Sequence, residues 1–359
     1  MTRATRAEIN LAALKHNLQV AQQAVPNSRQ MAIIKANGYG HGIVEVARAL
    51  RNTDAFGVAT LDEAINLREG GIYHPIVLLE GFTRATELPL IHAYDLECVI
   101  HHKSQVSILE KTNDKPVKIW LKIDTGMHRL GFEVSEAQKT YERLSDCASV
   151  IKPIRLMTHL ANADDRNDQN TEEQCESFTS AIKSLGNVET SIANSAGILG
   201  WPISHTNWVR PGIMLYGVSP FTDSLGEQHK LKPVMTLQSE LIGIKQLKKG
   251  DRVGYGGTYT CDADMTVGVV AIGYGDGYPR HARTGTPVLV NDTTVQLVGR
   301  VSMDMVTVDL SKCPSAKIGD AVTLWGEGLP VETIASNANT IGYELLCGVT
   351  QRVVYNYSE

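Results

Sequence analysis

A lysine closes an apolar run near the start of the chain, in Met31-Ala-Ile-Ile-Lys35-Ala-Asn37-Gly38-Tyr39-Gly-His41-Gly42. Lysine is seldom fully buried unless it is paired. A desolvated amine is a better nucleophile and can form a Schiff base with a carbonyl cofactor. Taken alone, the run fits a lysine that snorkels to solvent equally well. Other apolar runs also end in polar groups. Lys122 and Asp124 close one, with Arg129 soon after; His159 closes another; Asn194 and Ser195 follow a third; Arg210 interrupts Trp208–Tyr216. One such group is ordinary. Several at equivalent strand ends point to a site. Ser195 and Gly212 suit backbone N–H groups offered to a phosphate.

The elements that would position these groups repeat. Short apolar runs at Met31–Ala36, Ala55–Thr60, Pro75–Glu80, Leu96–Ile100, Val117–Ile123, Ile154–Leu160, Thr190–Ala193 and Trp208–Tyr216 alternate with helical patterns such as Ile43–Leu50, Leu61–Glu69 and Glu172–Leu185. A further helix, Leu11–Ala24, precedes them. Alternation of this kind predicts a parallel sheet covered by helices. About eight strands are what close a (β/α)8 TIM-type barrel, with its active site at the C-terminal strand ends. After Pro220 the chain turns rich in Val, Thr and Gly, which predicts a mostly β C-terminal domain. We place the barrel at residues 1–225 and the β domain at 226–359, with the boundary inside Pro220–Leu231.

Composition narrows the function. Of 359 residues, 43% are hydrophobic and 20% charged, with a net charge of -5, so the chain reads as globular and has no basic field for nucleic acid. No stretch reaches the roughly 18 apolar residues of a membrane span. The first residues show no signal peptide. Six cysteines lack C-x-x-C or metal-ligand spacing, which predicts reduced thiols in the cytoplasm and no metal site. His101 and His102 read as surface residues.

With these residues in place, a resemblance emerges. Ile34-Lys35-Ala-Asn-Gly-Tyr39-Gly-His-Gly resembles the pyridoxal 5'-phosphate (PLP) attachment signature of the alanine racemases. Thr125-Gly-Met-His-Arg129-Leu-Gly, Val209-Arg210-Pro-Gly212-Ile213, Val253-Gly-Tyr255-Gly-Gly, Gly273-Tyr274-Gly-Asp-Gly-Tyr-Pro-Arg280, Ser302-Met303-Asp304 and Ile341-Gly-Tyr343-Glu resemble further blocks, in order, from about Ala7 to Arg352. The resemblance implies that Lys35 holds PLP and is one of two bases, with Tyr255 the other. It implies phosphate contacts from Tyr39, Ser195, Gly212, Ile213 and Tyr343, Arg210 at the pyridine nitrogen, and His159 against the ring. Arg129 and Met303 would bind the substrate carboxylate and Lys122 would orient Arg129. Asp164, Tyr274, Arg280 and Arg300 would line the access channel. Members are homodimers, so Tyr255 and Met303 would serve the partner's site.

The sequence departs from the pattern in small ways. Gly38 stands where relatives often carry alanine, His128 is at a variable position, and Ser302 replaces a cysteine found in some members. Three other functions share parts of the pattern: a racemase of serine or several amino acids, a barrel-plus-β-domain decarboxylase, and a PLP-carrying homeostasis protein. The decarboxylase would lack the Arg210 block, and the homeostasis protein would be a lone barrel.

Overall fold

The structure is a computed structural model that describes residues 4–112 and 115–359. The chain divides into two compact units. One comprises Lys15–Leu215 with Pro220–Ser224; the other comprises the segment through Leu14, Tyr216–Ser219 and Leu225–Glu359.

The first unit is the expected barrel. Its parallel strands are Arg29–Ile33, Ala55–Val58, Ile76–Leu78, Glu97–Ile100, Val117–Asp124, Val150–Met157, Thr190–Ser191 and Trp208–Val209. The last closes on the first, with Trp208 opposite Arg29 and Val209 opposite Gln30. Strands such as Ala55–Val58 and Ile76–Leu78 are buried throughout, which is why they read as unbroken apolar runs. One covering helix shows its start signal in full. Thr60 Oγ1 accepts the Glu63 N–H at 3.3 Å while the Glu63 carboxylate accepts the Thr60 N–H, so a capping box opens helix Leu61–Glu69.

A charged and aromatic cluster fills the barrel at the starts of several strands, opposite the end where Lys35 emerges. Arg155 bonds Glu97 at 2.9 Å and Glu189 at 2.8 Å. Its guanidinium lies 5.2 Å and 5.6 Å from the rings of Trp120 and Trp208. Trp120 Nε1 donates to the same Glu97 oxygen at 2.8 Å. Breaking a buried pair strands the other charge. Glu97→Ala is therefore expected to cost about 3 kcal/mol, read as a lower urea midpoint. An unchanged midpoint would remove this cluster from the barrel's stability.

The second unit is a β sheet that closes through its longest strand. Met235–Leu247 pairs Ala321–Trp325 along its first half and Met265–Val270 along its second, with a register shift between Leu241 and Gly243. Two further strands of the sheet are Thr293–Leu297 and Val306–Asp309. The sheet also takes Arg6–Asn10, antiparallel to Met235–Leu247 and parallel to Val354–Ser358. A boundary at 225/226 counted this strand with the barrel. Its alternating pattern buries only Ala7 and Ile9, and its partners lie far along the chain, at Met235–Leu247 and Val354–Ser358, so nothing local reveals it. Among the described residues, no helix is long and apolar enough to cross a membrane. All six cysteines are free thiols.

Candidate active site

Lys35 leaves the first barrel strand at a conformational break. The strand ends at Ile33, and Ile34 still donates its N–H to Gly57 O. Then Ala36, Asn37, Gly38 and Tyr39 all adopt left-handed backbone, with φ of 53°, 54°, 64° and 51°. Such conformations cost an L-residue roughly 1–2 kcal/mol each. The turn holds because its amides are used: Gly38 N bonds Ile34 O and Gly42 N bonds Asn37 O. Asn37 Oδ1 accepts the N–H of Ile43 at 3.0 Å. His41 is fully buried, and burial lowers its pKa to about 4, so the ring is neutral. Its Nδ1 faces two carbonyl oxygens, Gly38 O and Tyr39 O, and must therefore carry the proton. Glycine fits position 38: a Cβ there would stand 3.0 Å from Val46 Cγ2 at a positive φ.

Four cations gather at this barrel mouth. Arg210 is buried and spends its donors on Ser191 Oγ at 2.6 Å, Thr158 O at 2.6 Å and Ile192 O at 3.0 Å. Its remaining contact is His159 Nδ1 at 3.3 Å. Arginine has no acceptor, so Nδ1 of His159 must accept and Nε2 must hold the proton. Burial, then the charges of Arg210, Lys122, Arg129 and Lys35, hold the His159 pKa well below its ordinary value. Burial also brings Arg210 down to about 10, still charged at neutrality. Lys122 is lowered to about 8 by burial and by Arg210 and Arg129, with Asp124 opposing. This excess of positive charge suits anionic ligands.

A buried group of two hydroxyls and a glycine lies near Arg210. Ser195 is buried, and its Oγ accepts the N–H of Gly212 at 2.9 Å and of Met214 at 3.4 Å. Asn194 fixes that serine's short helix by accepting the Gly197 N–H at 2.9 Å. A Cβ on Gly212 would stand 2.9 Å from the Tyr39 hydroxyl. Tyr39, Ser195 and Gly212 thus converge, and Ile213 is buried at the start of the next turn.

Arg129 sits on the turn after strand Val117–Asp124 and is exposed. Asp124 Oδ1 holds this turn by accepting the N–H groups of Gly126 and His128, both at 3.0 Å. His128, at the variable position, returns a contact to Asp124 Oδ2 at 3.4 Å. Asp164 is exposed on the loop after His159. His101 is half-buried rather than on the surface, with Nε2 bonded to Glu80 O at 2.9 Å. Sequence reasoning missed Gln174. A signal existed: it occupies the buried helical face of Thr171, Gln174, Cys175 and Phe178.

The remaining predicted residues lie in the β unit. Tyr255 tips the hairpin of Arg252–Val253 and Tyr259–Thr260 and is 73% exposed. Gly254, Gly256 and Gly257 around it all have positive φ. Arg252 braces the tip, donating to Gly257 O at 3.0 Å and Gly256 O at 3.1 Å. Arg300 Nη1 is 3.5 Å from the place a Gly256 Cβ would take, so Arg300 accompanies Tyr255. Tyr274 N bonds Ser302 O and Gly275 N bonds Met303 O, which joins Tyr274 to Met303. The Ser302 hydroxyl closes that turn, donating to Met305 O at 2.7 Å and accepting Met305 N at 3.1 Å. Met303 and Arg280 are exposed, and Tyr343 is half-buried in helix Gly342–Cys347.

Known proteins match over the whole chain. The family models for the alanine racemase N-terminal and C-terminal domains match residues 9–220 and 234–357. An alanine racemase from Coxiella burnetii is 52% identical over 99% of both chains. One from Shewanella baltica is 52% identical over 97% of both. The crystal structure of the biosynthetic alanine racemase from Pseudomonas aeruginosa superposes with a TM-score of 0.96 at 43% identity, covering 100% of both chains. Matched in both domains and along its full length, this chain belongs to the alanine racemase family and is an isomerase.

Proposed function

We propose that this chain interconverts L-alanine and D-alanine with PLP, using Lys35 and Tyr255 as bases on opposite faces of the α-carbon. The observation that carries this reading is the gathering of Lys35, Lys122, Arg129 and Arg210 around a neutral His159 at one barrel mouth. The residues fit PLP. The bare flank of Gly212, with the Tyr39 and Ser195 hydroxyls, suits a phosphate, and Ile213 and Tyr343 are the further holders. The surplus cations suit that phosphate together with a substrate carboxylate. When bound, PLP supplies an electron sink that makes the α-hydrogen acidic.

The chain's own groups do the rest. Lys35 anchors the cofactor and moves a proton at the α-carbon on one face, for the D-enantiomer. Tyr255 does so on the other, for the L-enantiomer. Arg129 and the Met303 backbone bind the carboxylate, and Lys122 orients Arg129. Asp164, Tyr274, Arg280 and Arg300 line the approach. Arg210 can donate but never accept, so it withholds a proton from the ring nitrogen it faces. Arg210→Glu is accordingly expected to raise pyruvate release per racemisation turnover, and unchanged release would overturn that role.

The protein works as a cytoplasmic homodimer in which Tyr255 and Met303 serve the partner's site. Both side chains are exposed, at 73% and 52%, and so are open to a second chain. Its product supplies peptidoglycan or its reaction serves alanine catabolism; the biosynthetic Pseudomonas aeruginosa relative favours the former. Purified protein should absorb at about 420 nm, a cofactor property, and bring the circular dichroism of L-alanine, and equally of D-alanine, to zero without releasing carbon dioxide. A yellow protein that leaves alanine unchanged, or prefers serine in the same panel, would refute the reading.

A further inference from the structure

Gln174 lies outside every assigned role, yet its side chain touches both halves of the barrel site. It is 1% exposed on helix Asn170–Ile182. Its Oε1 accepts the Ala161 N–H at 2.8 Å. Its Nε2 donates to His159 O at 3.1 Å and to Thr125 Oγ1 at 3.3 Å. That uses both amide hydrogens and the carbonyl, which is what a buried amide requires. Thr125 in turn bonds Thr158 Oγ1 at 2.8 Å, and Thr158 O receives Arg210 Nη2. Arg210 Nη2 also meets His159 Nδ1, so the chain of bonds closes on itself.

The geometry matters because it reaches the turn that carries Arg129. Thr125 opens the turn that carries Arg129, and Asp124 holds that turn only from within. Gly126 packs on the amide's stem: a Cβ there would stand 3.4 Å from Gln174 Cγ. Buried polar networks of this kind specify one arrangement when every member is satisfied. We infer that Gln174 is a positioning residue whose buried amide holds the Arg129 turn in register with the His159–Arg210 pair. The inference rests on the proposed role of Arg129 in binding the substrate carboxylate.

Gln174→Met keeps length and volume while removing all three bonds. Small misplacements of a binding group cost tens-fold in rate or affinity. The expected result is a KM for L-alanine raised about tenfold with kcat reduced less than about threefold. The dissociation constant of propionate, a three-carbon carboxylate without the amine, should rise by the same factor in calorimetric titration. A merely structural amide would lower thermal stability and the active fraction, moving kcat and leaving KM and propionate affinity in place. Thr125→Val removes the partner from the other side and gives a second variant should the first fold poorly. It should move the same two constants by about threefold, and combined with Gln174→Met should add little, because the two share one network. KM and propionate affinity within about twofold of wild type in both variants would overturn the inference, whatever the melting temperatures. Failure of the unmodified chain to racemise alanine would instead refute the proposed function, and the propionate titration separates the two.

Discussion

Lys35→Ala is expected to abolish racemisation, lowering kcat/KM from either enantiomer by about 10⁴-fold or more, since it removes a covalent anchor and an acid–base group together. The variant should also lose its cofactor on dialysis, seen as loss of the yellow absorbance, while the unmodified protein keeps it. The fold should survive. Lys35 is only half-buried, and the left-handed turn after it is held by backbone amides and by Asn37, not by the lysine side chain. A melting temperature within a few degrees of wild type would therefore accompany the inactive protein. Lys35→Arg should be equally inactive, because a guanidinium stays protonated and cannot serve as a base. Residual activity above about one hundredth of wild type in Lys35→Ala would exceed what the loss of one proton-transfer group alone allows and would refute the anchor role.

The barrel was legible because its strands are buried on both faces and so read as apolar runs ended by polar groups. Lys35, Lys122, His159 and Arg210 were visible as exceptions to those runs. What was not legible depends on distant partners. Ala36 and Asn37 carry no sign of left-handed backbone; the turn comes from bonds that Ile34 and Asn37 make across it. Arg6–Asn10 belongs to a sheet whose other members lie far along the chain. Glu97 lies inside the run Leu96–Ile100, and the partners that account for it, Arg155 and Trp120, are on other strands. Among the tyrosines after residue 250, the resemblance set Tyr255 apart, and burial agrees: Tyr278 is buried and stacks on Trp325 at 6.1 Å, whereas Tyr255 is exposed. Gln174 fell in a regular helical face, where its amide could as well have been solvated.

Tyr255→Phe should reveal which face the phenol serves. Exchange of the α-hydrogen with solvent deuterium should fall about 10³-fold from L-alanine but less than about tenfold from D-alanine, since only one of two proton-transfer groups is lost. The hairpin itself does not need the hydroxyl. Its tip is held by Arg252 on the carbonyls of Gly256 and Gly257 and by the Gly257 N–H on Gly254 O. Any large loss is thus chemical rather than structural. Equal losses from both enantiomers would mean that Tyr255 is not specific to one face. The same variant tests the shared site. In a dimer where each site takes Lys35 from one chain and Tyr255 from the other, a Lys35→Ala chain paired with a Tyr255→Phe chain has one intact site and one doubly broken site. Random mixing makes half the dimers mixed, so about one quarter of wild-type activity should return from two inactive parents. Mixed dimers that form and stay inactive would place both bases of a site on one chain.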